Sequence, residues 1–336
     1  MTVRNSTIRS LNLSKILWGI VRFREAGISI FILILVVGIT STAPSFLTGT
    51  NLHNLFMNIS ILAIVALGQT MVILTHGIDL SVSSIIGLVA MMVAYMVRQF
   101  PGMPVAVAIL LGMALGSILG SFNGLIITYG KVPPIIATLG TLSVFRGLVF
   151  FYSQGSWVNA FELPQSFKSF ALGTPLGIPN LVIVAIVFAL IVFYFLNHTR
   201  TGRNIYAVGS NPEAAQFAGI RPQRVIFLVY VLSGIAAGLA GVMWSSYYAS
   251  AQTNTALGFE LQTVAAAVVG GVSISGGVGT VPGVLLGALL LGIIQNSLTL
   301  VNISPFWELA AQGLLILLAV VSDNLIQRRT QKGARQ

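Results

Sequence analysis

Residues 104–128 read PVAVAILLGMALGSILGSFNGLIIT, an unbroken run without a single charge. As an α-helix rising about 1.5 Å per residue it would extend for about 38 Å, enough to cross a hydrocarbon core about 30 Å thick. Within it Gly112, Gly116, Gly120 and Gly124 recur every four residues, on one helical stripe. Small residues at that interval let two helix backbones approach closely where lipid supplies no hydrophobic drive for association. The spacing returns at Gly234 and Gly238, and again at Gly283 and Gly287. These stripes are read as packing faces, not as ligand sites. The expected fold is a bundle of membrane-crossing helices.

Composition agrees. Of the 336 residues 56% are hydrophobic and 7% charged, against roughly 25% charged in soluble domains. Such a chain cannot cover a water-facing surface, and no polar stretch is long enough to build a soluble core. Ten spans are expected, at approximately 26–47, 52–75, 80–97, 104–128, 133–153, 179–197, 225–248, 260–273, 281–301 and 306–326, making an all-α polytopic membrane protein. The eighth is short, and only His-Gly-Ile-Asp (76–79) separates the second from the third, so these are expected to be broken or re-entrant elements. The resulting organisation is a basic lead-in (1–25), one transmembrane domain (26–326) and a basic tail (327–336). Within the domain lie an outer loop at 154–178 and an inner loop at 198–224. The lead-in is too long, and the apolar run after it too extended, for a cleaved signal peptide.

The net charge of +10 does not indicate nucleic-acid binding, because the basic residues sit in short segments beside the apolar runs, with no interleaved aromatics. Their placement sets an orientation instead. Fourteen fall on one side: Arg4, Arg9, Lys15, Arg22 and Arg24, then Lys131, then Arg200, Arg203, Arg221 and Arg224, and finally Arg328, Arg329, Lys332 and Arg335. Only Arg98 and Lys168 fall on the other, and Arg146 lies within the fifth span. Both termini are therefore expected in the cytoplasm. The chain has no cysteine, which excludes disulfides and thiolate chemistry, and His53, His76 and His198 lack metal-ligand spacing.

Two stretches interrupt the apolar pattern at membrane depth. In LTHGIDLSVSSIIG (74–87), Asp79 would cost on the order of 3 kcal/mol if left unpaired at the bilayer centre. It either caps the third span, accepting from the backbone N–H of Ser81 or Val82, or lines a translocation path; residue type alone leaves both open. In VVGGVSISGGVGTVPG (268–283), six glycines and Pro282 argue against a continuous helix, and irregular backbone survives at this depth only where protein or a cavity covers it. The two breaks occupy comparable places in the two halves, as expected of an inverted repeat. Arg146 is read as snorkelling or holding a neighbouring carbonyl. Gln69, Ser81, Asn123 and Thr138 join Asp79 as candidate polar groups along a path, and each could equally pack between helices.

The inner loop carries SNPEAAQFAGIRP (210–222). Ser210 stands three residues before Glu213, the spacing of a capping box, with Pro212 allowed in the first turn. Ala214, Ala215 and Ala218 favour helix, Gly219 suits the position just past its end, and Pro222 prevents continuation. A helix of about two turns follows. It is too short to stand alone in water, so it must dock on something.

EAAQFAG (213–219) resembles the E-A-A-x-x-x-G motif of ABC importer membrane subunits. Four further segments are similar to the ribose-type branch of those permeases, which also serves other pentoses and hexoses, rhamnose and autoinducer-2. They are GIDLSVSSIIG (77–87), FNGLIITYGKVPPIIATLGTLSVFRG (122–147), TRTGRNIYAVGSNPEAAQFAGI (199–220) and LQTVAAAVVGGVSISGGVGT (261–280). Ser83 departs from the glycine usual in the first segment, and the I-x-L-P that ends the longer motif of maltose-type importers is absent after Gly219. The resemblance implies a transport subunit of the bacterial cytoplasmic membrane, not an enzyme. In that family the motif forms a helix seated on a cytoplasmic ATPase, a role carried here by Ser210, Glu213, Ala214, Ala215 and Gly219. It further implies a second permease copy or homologue, and an extracytoplasmic sugar-binding protein for which the loop 154–178 is either a docking surface or an ordinary lid. The chain itself has no G-x-x-x-x-G-K-[ST] phosphate loop, so ATP and Mg are expected on the partner and no cofactor on this chain. The competing class is an ion-coupled secondary transporter using Asp79 or Glu260. A membrane-embedded enzyme is third, since no second carboxylate stands near Asp79 in sequence.

Overall fold

The computed structural model describes residues 24–301 and positions 307, 310, 313, 314 and 317. The basic lead-in before Arg24, the basic tail and most of the tenth expected span lie outside them. Twelve α-helices follow in order: α1 Arg24–Thr42, α2 Gly49–Leu74, α3 Val82–Gln99, α4 Val105–Thr128, α5 Pro134–Ser153, α6 Gln165–Leu172, α7 Asn180–His198, α8 Arg200–Ser210, α9 Pro212–Phe217, α10 Pro222–Tyr247, α11 Phe259–Val269 and α12 Val281–Leu300. Eight of them (α1 to α5, α7, α10 and α12) are long and apolar enough to cross a membrane.

The core forms around α2 and α10. From Ile59 to Leu74 α2 is buried on every side, because α10, α11, α12 and α7 all pack on it. A helix with no polar face belongs in the middle of a bundle. The most extensive helix pair is α4 with α10, and its seam is made of the glycines. A Cβ at Gly116 would overlap the carbonyl oxygen of Gly234, and one at Gly120 that of Tyr230. In return, side chains at Gly234 and Gly238 would strike the carbonyls of Gly116 and Gly112. The third stripe works likewise, Gly283 lying against the Gly270 carbonyl and Gly287 against that of Ala266. All three expected stripes are packing faces.

The perimeter is apolar. Leu33, Ile34 and Val37 on α1, Leu110 and Ile118 on α4, Ile136 and Phe151 on α5, and Leu190 and Ile191 on α7 are exposed. Contiguous apolar surface of this kind is unfavourable in water and costs nothing against lipid tails, provided the backbone polar groups are satisfied within the helices.

The seam between the second and third spans corrects the expectation of broken elements there. α2 and α3 are each continuous, and the residues between them form a tight turn at 75–81. The turn closes through the Gly77 N–H donating to the Val72 carbonyl (3.0 Å) and places His76 at φ +64°. The eighth span is shortened as expected. α11 has 11 residues, about 16 Å of helix, roughly half the hydrocarbon thickness. The glycine-rich chain at 270–280 follows it. At the far end of α3 Arg98 bridges Glu162 at 2.8 Å, and Val158 pairs antiparallel with Ala251.

Candidate functional site

The turn at 75–81 gathers the candidate polar residues into one network. Asp79 has no exposed surface. Its Oδ1 accepts from the Ser81 N–H (3.0 Å) and the Ser81 hydroxyl (2.7 Å), and its Oδ2 accepts from the Ser233 hydroxyl on α10 (3.1 Å). The Gln69 carboxamide, turned so that its nitrogen faces the Asp79 carbonyl oxygen (3.1 Å) and its oxygen the Asp79 N–H (3.0 Å), satisfies the backbone of the same residue. Asn123 on α4 donates to the Ser81 hydroxyl (2.7 Å), and Thr138 on α5 donates to the Ile78 carbonyl (3.1 Å). The carboxylate thus holds the approach to α3 and ties it to α10, while the backbone of the turn and the Ser81 hydroxyl tie it to α2, α4 and α5. Gln69, Ser81, Asn123 and Thr138 are as fully buried as Asp79. Three donors converge on one carboxylate, which is how a charge is tolerated away from water. Asn123 Oδ1 and the Tyr230 hydroxyl beside this turn retain unused hydrogen-bonding capacity.

The second break reaches the first. The Gly277 N–H donates to the Leu74 carbonyl at the end of α2 (3.0 Å). Gly209 of α8 lies against both groups, so a Cβ there would overlap the Leu74 oxygen. The Tyr206 hydroxyl of α8 donates to the Gly279 carbonyl (2.9 Å). Burial pushes the Tyr206 phenol above its ordinary range, so it stays a donor. The two polar interruptions and α8 therefore form one assembly at the same end of the bundle.

The segment 198–221 is more ordered than its sequence suggested. α8 is a helix that the sequence reading did not anticipate, although Thr199 announces it: the Thr199 side chain accepts from the Gly202 N–H (3.0 Å). The cap of α9 also needs correction. Ser210 is the last residue of α8, already in helical conformation, and it packs on Gly277. The N-cap is Asn211, whose side-chain oxygen accepts from the Ala214 N–H (2.9 Å). Asn before Pro is itself a strong start signal, which the spacing from Ser210 to Glu213 had masked. At the other end Gly219, at φ +81°, donates to the Gln216 carbonyl, and the Ile220 N–H donates to Ala215, both at 3.0 Å. This pair of bonds ends the helix in a Schellman motif. Pro222 then opens α10. Ala215 alone faces inward. Every other residue from Asn211 to Gly219 is exposed, Phe217 to 93%.

Arg146 holds neighbouring carbonyls. Its guanidinium donates to the carbonyls of Thr253 (3.1 Å) and Thr255 (2.9 Å), clamping the loop ahead of α11.

A helical membrane bundle with polar, gapped seams and a small exposed helix at one end suits transport better than catalysis. The model of one family, described as the permease component of a branched-chain amino acid transport system, matches residues 51–320. The chain belongs to this permease family. The permease is 41% identical over 298 residues to the ribose import permease protein RbsC of Escherichia coli K12, covering 88% of this chain and 92% of that one. It is 41% identical over 305 residues to the RbsC of Bacillus subtilis strain 168, covering 91% and 94%. It is 36% identical over 319 residues to the galactose/methyl galactoside import permease protein MglC of E. coli K12, covering 90% and 94%. No solved structure matches the permease. It is a multi-pass membrane subunit of an importer, a transport component and not an enzyme.

Proposed function

We propose that this permease carries a neutral monosaccharide or sugar-like solute inward by alternating access, powered by a separate ATPase that seats on α9. The observation that carries the reading is α9 itself. It is a short helix, capped at both ends and anchored by Ala215 alone, with Glu213, Ala214 and Phe217 facing outward. Six residues of helix hold this shape weakly unless something covers them. Through α8 a push on α9 is delivered to the Leu74 carbonyl, to Gly277 and to Gly279, the places where the turn 75–81 meets the glycine-rich chain.

Gln69, Asp79, Ser81, Asn123 and Thr138 are then the seam along which α3, α4, α5 and α10 part to admit solute. The excess of basic residues in the 198–224 loop and at both ends of the sequence supports a cytoplasmic location for the α8–α9 end and both termini. ATP and Mg belong to the partner, a second permease copy completes the path, and a soluble sugar-binding protein delivers cargo to the far side. Relatives named for ribose and for galactose import support a sugar, as do the amides and hydroxyls of Gln69, Ser81, Asn123 and Thr138 that surround Asp79 along the path.

Uptake of labelled ribose and galactose by cells carrying the full chain tests this. Uptake is expected to need ATP and to survive an ionophore, and Glu213→Ala combined with Gly219→Asp should abolish it while the protein remains folded in the membrane. Uptake that continues after ATP depletion and collapses with the ionophore would contradict the proposal.

A further inference from the structure

We infer that the end of the bundle opposite α8–α9 carries its own binding subsite for a neutral monosaccharide, in the cleft between α2, α10, α11 and α12. The inference rests on the transport reading above and adds a place where cargo is held. The cleft encloses about 210 Å³, below the ~300–1,000 Å³ of pockets for drug-sized ligands, which suits a single sugar ring. Four carboxamides line it from four separate segments: Asn58 on α2, Asn254 on the loop before α11, Gln262 on α11 and Gln295 on α12. Each carboxamide both donates and accepts, and so does every sugar hydroxyl.

Aromatic rings supply the other half of the wall. Trp244 stands edge-on to Phe259 (centroids 5.3 Å apart) and tilted against Tyr248 (5.0 Å). Such surfaces cover the apolar C–H face of a sugar while the amides take its hydroxyls. None of the lining residues is charged, which suits a neutral solute.

Two further observations show that the cleft is built. The Tyr248 hydroxyl donates to Asn58 Oδ1 (2.8 Å), which orients that amide. Arg146 holds the carbonyls of Thr253 and Thr255, the residues on either side of Asn254, and so fixes the turn from which Asn254 projects. Arg146 acts here as a positioning residue. Asn58 also lies nine residues into α2, about 14 Å along the helix, where an amide facing lipid would be unfavourable. The Asn58 nitrogen donates to the Asn54 carbonyl (3.0 Å), so the amide is held in place and keeps a second N–H and a second lone pair for a solute hydroxyl.

The natural absence of cysteine makes a direct test available. Asn254→Cys in the full chain, in right-side-out membrane vesicles, is exposed to a membrane-impermeant maleimide with and without saturating pentoses and hexoses. Labelling from outside is expected, slowed at least threefold by the sugar that wild-type cells take up. Gln262→Ala with Gln295→Ala should raise the KM of uptake at least fivefold while Vmax stays within twofold, a split that a merely structural defect would not give. If Asn254→Cys is lost from the membrane, Leu257→Cys on the cleft rim carries the same measurement. A labelling rate unchanged by a sugar that the wild type does transport overturns the subsite and leaves the transport reading intact. A wild type that takes up none of the sugars on ATP overturns both.

Discussion

Asp79 is a carboxylate without water, and its three donors determine what its removal does. Asp79→Ala strands the Ser81 N–H and two hydroxyls in a dry seam, each at about 1–3 kcal/mol. Ser233→Ala removes a single bond and should cost about 1 kcal/mol. Thermal unfolding of the purified permease should therefore fall clearly for the first variant and slightly for the second; equal midpoints for both and the wild type would contradict the network. The sequence showed that Asp79 needed partners and suggested Ser81. It could not show Ser233, which lies 154 residues away. Ser210 shows the opposite failure: a local spacing rule chose it, and α8, invisible to that rule, claimed it first.

In the 154–178 loop, the Asn159 N–H and the charge of Arg98 hold Glu162 below the ordinary carboxylate range. Its contribution to ordering the 154–178 loop is therefore complete above that range and is lost as pH falls through the depressed value. Hydrogen exchange in this loop should be slow at pH 7 and accelerate in strong acid, once corrected for intrinsic rates. Glu162→Gln should be fast throughout, and a wild type equally protected at both extremes would refute the link.

At the scale of elements, the glycine stripes were legible before any coordinates because a four-residue period is a local property of sequence. Which stripe met which was not legible. Gly116→Ala forces α4 away from α10, and overpacking of this kind costs about 1–3 kcal/mol. Gly140 on α5 has nothing within 4 Å of a Cβ, so Gly140→Ala should gain up to about 1 kcal/mol of helix propensity. Opposite shifts in unfolding midpoint are expected, and a stabilised Gly116→Ala would contradict the seam. The short α11 was legible from its neighbouring glycines, whereas the turn at 75–81 was misjudged. Four residues of polar sequence mark a break, but they do not reveal whether the helices on either side are complete.

For the whole molecule, hydropathy alone announced a membrane bundle. Long-range closure is what sequence withheld: both polar breaks and α8 converge on the Leu74 carbonyl, so the small exposed helix and the dry seam belong to one mechanical unit. That unit has a purpose only if something pushes on α9. The deciding measurement is a mild-detergent pull-down of the tagged full-length chain from its native membranes, with co-purifying proteins identified by mass spectrometry. A stoichiometric ATPase is predicted, lost when Phe217→Ala and Gly219→Asp are combined in a permease that stays folded. A wild-type chain recovered intact but alone, or an ATPase held equally well by the variant, would contradict it.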